Sequence, residues 1–181
     1  VADNLSEKIR KISASGTVTT LAPSKSFDKP EDMVVDLLGN VYVSCTTSKK
    51  IKKIDTSENV IDLTAGGIEH PQGISWNLNG EMILADQIGN QIKKITTAGA
   101  ISTIPCTPSV VSPHDVKVHH DGYIYVAENK TGQTRVSKIS PAHNVIKLAD
   151  CPAAVCLSVD NSGYVYVSDY LNHVIYKISP A

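Results

Sequence analysis

Gly163-Tyr-Val-Tyr-Val-Ser-Asp169 is the stretch on which the fold turns. It returns in altered form as Gly122-Tyr-Ile-Tyr-Val-Ala-Glu128, Gly80-Glu-Met-Ile-Leu-Ala-Asp86 and Gly39-Asn-Val-Tyr-Val-Ser-Cys45, the glycines lying 41, 42 and 41 residues apart. Val1-Ala2-Asp3 matches the end of the same pattern. A second marker keeps the register: Ile9-Arg-Lys-Ile12, Ile51-Lys-Lys-Ile54, Ile92-Lys-Lys-Ile95, Val136-Ser-Lys-Ile139 and Ile175-Tyr-Lys-Ile178. Two independent markers in one frame establish an internal repeat.

Within a unit the runs are short, β-branched or aromatic, and bounded by turn residues. In the second unit they are Asp32–Asp36, Val41–Ser44, Ile51–Ile54 and Val60–Leu63, each of strand length. Proline stands at the entry to each first run (Pro30, Pro71, Pro113, Pro152), where no ladder N–H is needed. No stretch keeps helical apolar spacing over three turns. Four short antiparallel strands every ~40 residues predict an all-β fold, a β-propeller of four-stranded blades. The 181 residues make about 4.4 repeats: three complete units and two partial ones, in a single propeller over residues 1–181. The units divide at about 1–28, 29–69, 70–111, 112–150 and 151–181.

Composition narrows the classes. Net charge is −1 with 19% charged and 41% hydrophobic residues, which excludes collagen and charge-driven disorder. No apolar run has the ~18–20 residues of a membrane span. The balanced charge removes the general electrostatic case for nucleic acid.

The last unit, Asp160-Asn-Ser-Gly163-Tyr-Val-Tyr-Val-Ser-Asp169-Tyr-Leu-Asn172-His173-Val-Ile-Tyr-Lys-Ile178, resembles the NHL repeat, and the likeness runs through essentially the whole chain. NHL propellers include peptidylglycine lyases, lactonase relatives, sensor domains, RNA-binding modules and scaffolds, so fold does not settle function. The resemblance implies closure with six blades as the usual arrangement. The first unit lacks its first strand and the last stops after its third. The expectation is therefore an open arc or a strained five-unit ring. The remainder would come from further sequence or from another copy.

In propellers the first strand of each blade lines the central channel. The aligned candidates there are Glu31, Asp32, Gln72, His114 and Asp115. Ser112-Pro-His114-Asp115 is similar to the motif that supplies zinc ligands in the peptidylglycine amidating lyase, which brings three such histidines together. Here only His114 occupies such a position, so it is a weak zinc candidate, and the reading assigns no metal and no cofactor. Glu31, Asp115 and Glu128 are the residues a calcium-dependent lactonase-like site could draw on. No nucleophile elbow or phosphate loop is present. The resemblance to NHL units implies that the acid ending the second strand pairs with a cation five residues on. Asp3 with Lys8 keeps that spacing, and Glu128 with Arg135 keeps it across a two-residue insertion.

Lys49, Lys50, Lys52, Lys53, Lys93 and Lys94 form basic clusters, but one Phe, one Trp and seven Tyr are few for base stacking, so RNA binding is not favoured. Of Cys45, Cys106, Cys151 and Cys156, the pair Cys106 and Cys151 could bridge two blades, whereas Cys156 in a first strand is expected to be a buried thiol. Asn4-Leu-Ser6 and Asn129-Lys-Thr131 match the glycosylation pattern in loops after second strands. Together these features tilt the reading towards an extracellular or secretory setting. The function expected is non-catalytic: a scaffold binding a protein partner or another copy that completes the propeller. A lyase- or lactonase-like enzyme and an RNA-binding module are the alternatives.

Overall fold

A computed structural model describes residues 1–131 and 133–180, with the side chain of Gln133 left undescribed. Eighteen strands form five antiparallel sheets. The first sheet holds β1 (Ala2–Asp3), β2 (Lys8–Ile12) and β3 (Val18–Leu21). The second holds β4 (Pro30–Val35), β5 (Val41–Cys45), β6 (Lys50–Ile54) and β7 (Val60–Asp62). The third runs β8 (Pro71–Trp76), β9 (Met82–Asp86), β10 (Gln91–Ile95) and β11 (Ile101–Ile104). The fourth runs β12 (Pro113–Val118), β13 (Ile124–Lys130), β14 (Gln133–Ile139) and β15 (Val145–Asp150). The fifth has β16 (Ala154–Val159), β17 (Val165–Asp169) and β18 (Val174–Ile178). The architecture is the expected propeller, with blades of three, four, four, four and three strands.

The turn between first and second strands explains the recurring glycine. Gly39, Gly80, Gly122 and Gly163 all take positive φ, from +73° to +88°, a region open to glycine at little cost. Three residues earlier, Asp36, Asn77 and Asp160 each accept the backbone N–H groups two and four residues on, at 2.8–3.0 Å. His119 holds that place in the fourth blade, and Asp121 caps the turn instead by accepting the Tyr123 N–H at 3.0 Å.

Apolar residues alternate onto the two faces of each blade, and four separate clusters fill the four junctions between successive blades. Ile9 and Phe27 of the first blade meet Val43 and Ile54 of the second. Tyr42 and Ile51 meet Leu84 and Ile95; Ile83 and Ile92 meet Val126 and Ile139; Tyr125 and Val136 meet Leu157 and Val167. Each junction thus joins a forward face to the backward face of the next blade. The residue that opens the third-strand marker sits on the forward face and the one that closes it on the backward face. Burying one such Ile stabilises by about 1.5–3 kcal/mol.

The two outermost faces are uncovered. Ile175 is 74% exposed, whereas Ile9, Ile51, Ile92 and Val136 in the matching place are 0% exposed. On the backward side Ile12 is 55% exposed against at most 1% for Ile54, Ile95 and Ile139. The molecule is therefore an open arc of five sheets.

Candidate functional site

The first strands β4, β8, β12 and β16 stand next to one another on the inner wall of the arc. Their adhesion is polar. One Asp32 oxygen accepts the N–H of Met33 in its own strand at 2.8 Å and the other accepts that of Ile74 in the next blade at 3.0 Å. Asp115 repeats the device one repeat-pair on, with Val116 and Leu157, both at 2.8 Å. Between these two, Ser75 Oγ accepts the Val118 N–H at 3.2 Å. Every adjacent pair of first strands from the second blade to the fifth is thereby tied.

At the centre Lys117 Nζ donates to Asp115 Oδ1 at 2.8 Å and reaches Asp32 Oδ2 at 3.4 Å, two blades away. That reach crosses Gly73, where a Cβ would lie 2.2 Å from Asp115 Oδ1 and 2.6 Å from Asp115 Cα. Only glycine lets β8 and β12 approach this closely. Burial disfavours both charges and pushes the Asp115 carboxyl up. Burial works against Lys117 too, yet the Asp115 and Asp32 carboxylates outweigh it and hold the lysine above its ordinary value. The 2.8 Å contact with Lys117 and two backbone donors favour the Asp115 carboxylate against that burial.

Nearer the strand entries lies a second polar group. Gln72 Nε2 is 3.1 Å from His70 Nδ1, Gln87 Nε2 is 2.6 Å from His114 Nε2, and Asn4 Nδ2 donates to Glu31 Oε1 at 2.9 Å. Burial and the neighbouring His70 lower the His114 pKa, and burial raises that of Glu31. A neutral imidazole, a carboxyl shifted towards protonation and two side-chain amides can hydrogen-bond a polar ligand. They can also exchange protons with one.

The five channel candidates thus divide. Asp32 and Asp115 converge on Lys117, while Glu31, Gln72 and His114 stand apart, each held by a neighbour. Among the described residues no three His, Cys, Asp or Glu side chains are placed to share a metal ion, and His114 Nε2 already faces Gln87. Lys117, Ser75, Gly73, His70 and Gln87 escaped the sequence reading. Lys117 did leave a signal, a charge interrupting the strand Pro113-His-Asp-Val-Lys-Val118 where the other repeats carry Val34, Ser75 and Ser158.

The second-strand acid also has a second role. Asp86 accepts the Glu69 and His70 N–H groups at 3.0 and 2.8 Å, and Glu128 accepts the Val111 N–H at 2.6 Å. These carboxylates fasten the loop that enters their own blade. Glu128 also receives Arg135 Nε at 2.9 Å and the Ser137 hydroxyl. The Asp3–Lys8 pair is corrected: Asp3 takes Arg10 at 3.0 Å, while Lys8 Nζ donates to the carbonyls of Pro23 and Lys25. Asp3 and Lys8 are partners in the backbone ladder, but Arg10, on the same strand face as Lys8, is the cation whose side chain folds back to the acid.

The lysine clusters are likewise engaged. Lys49 meets Glu69, Lys50 meets Asp62, Lys52 meets Asp28 and Asp62, and Lys94 meets Glu81. Lys53 lies over the Tyr42 ring and Lys93 donates to Thr103. All four cysteines are free thiols. Cys156 is exposed rather than buried, because it points from the uncovered forward face of the last blade. Asn129 lies inside β13, not in a loop, because the insertion lengthens the β13–β14 hairpin. No helix is long and apolar enough to cross a membrane among the described residues.

No protein-family model and no curated protein matches this sequence. Solved structures do resemble it. The virginiamycin B lyase from Staphylococcus aureus aligns with TM-score 0.78 at 18% identity, over 97% of this chain and 61% of the lyase. A gluconolactonase from Xanthomonas campestris aligns with TM-score 0.76 at 11% identity, over 96% of this chain and 65% of that protein. A putative gluconolactonase gives 0.73 at 12% identity, over 96% and 67%. At such identities the likeness establishes the β-propeller fold, and this chain spans about three fifths of the lyase's length.

Proposed function

We propose that the chain is an NHL-type propeller module that binds protein across its uncovered end faces and performs no chemistry of its own. The observation that carries this is the contrast at matched positions, 74% exposure at Ile175 against 0% at Ile51 and its other counterparts. Both outer faces keep the aliphatic residues of an internal junction, which favours occupation by another sheet. The test is a photo-crosslinking amino acid in place of Ile175 or Ile12, expressed in the source cells. Capture of protein at these sites supports the reading. Capture only from a probe replacing Gln72, beside the polar group of the inner wall, overturns it.

A second reading is favoured by the His70–Gln72 and His114–Gln87 pairs: a small polar ligand bound at the strand entries, in the manner of an enzyme. The lyase gives it some weight, since a variant with one histidine replaced by alanine is described as catalytically inactive in complex with quinupristin. Incubation of this protein with quinupristin and with gluconolactone tests it. Turnover that His114→Ala abolishes would establish the second reading over the first.

A further inference from the structure

We draw no further inference here: the strongest candidate, the exposed apolar patch of Leu37, Leu38 and Leu78 on the neighbouring turns that follow β4 and β8, beside Val35 and Trp76, carries nothing because nothing in the structure shows what covers it.

Discussion

Lys117→Met is the substitution that most directly tests how the blades are held together. The methionine fills similar volume but removes the one cation serving Asp115 and Asp32. Asp115, 4% exposed, is then left with only the Val116 and Leu157 N–H groups as donors. Removing one partner of a buried pair costs about 3–5 kcal/mol. The lysine side chain is itself 29% exposed, and the longer Asp32 contact adds no more than ~1 kcal/mol. The expected loss is therefore about 2–4 kcal/mol, a fall in melting temperature of roughly 5–15 °C at 2–4 °C per kcal/mol for a chain of this size. Urea titration followed by circular dichroism reads it. Adding Asp115→Asn neutralises the stranded carboxylate while keeping an acceptor for the Leu157 N–H, so the double variant should recover about 1–2 kcal/mol of the single loss. The pH dependence has a definite sign. The folded-state lysine titrates above its unfolded value. Its contribution is therefore complete below about pH 10 and disappears only as pH rises past the ordinary lysine value. A Lys117→Met loss below about 0.5 kcal/mol, or a double variant as unstable as the two single losses summed, would refute this account of the inner wall.

Three other outcomes follow from the same geometry. Ile51→Ala should cost about 2–5 kcal/mol in urea unfolding, because the side chain is wholly enclosed, while Ile175→Ala at the matching position of the open face should stay within about 0.5 kcal/mol. His114 titrates below its unfolded value in the folded chain, so stability is full above about pH 6.5 and declines as pH falls through the folded value; His114→Gln should flatten melting temperature between about pH 7 and 5. Burial lifts the Cys45 thiol to about 12 and that of Cys106 to about 11. Mass-spectrometric alkylation near neutral pH should therefore label these two in the native chain far more slowly than in the urea-unfolded one.

The repeat made the blades legible because each glycine turn and each third-strand marker is specified by local physics: positive φ at Gly39 or Gly163, and side-chain alternation at Ile51 or Ile92. Strand bounds followed within a residue or two; β4 begins at Pro30 where the sequence suggested Asp32. The inner wall was only half legible. Asp32 and Asp115 stood out as acids at equivalent places, but nothing local announces that their partner is Lys117. The contact with Asp32 joins residues 85 apart, and it depends on Gly73 leaving the intervening place empty. Pairing across a strand was misjudged for a related reason. Sequence spacing favoured Lys8 for Asp3, yet the ladder neighbour need not own the side chain that reaches, and Arg10 does.

The same reasoning explains why Cys156 was misplaced. A residue's burial in a repeat depends on two blades, its own and the one it faces. Position within the unit therefore predicts a covered Cys156, a covered Ile175 and a covered Ile12. All three are open, and they are open because they occupy the two faces that meet no neighbour within the chain. Local structure does not require Ile at either end: β2 and β18 would pair with β1 and β17 through their backbones with polar side chains in those places. Solvent would favour such a replacement. What Ile12 and Ile175 can do is fill the junction that Ile54 and Ile51 fill inside the arc. Covering Cys156, Ile175 or Ile12 takes the neighbouring sheet that their counterparts have inside the arc.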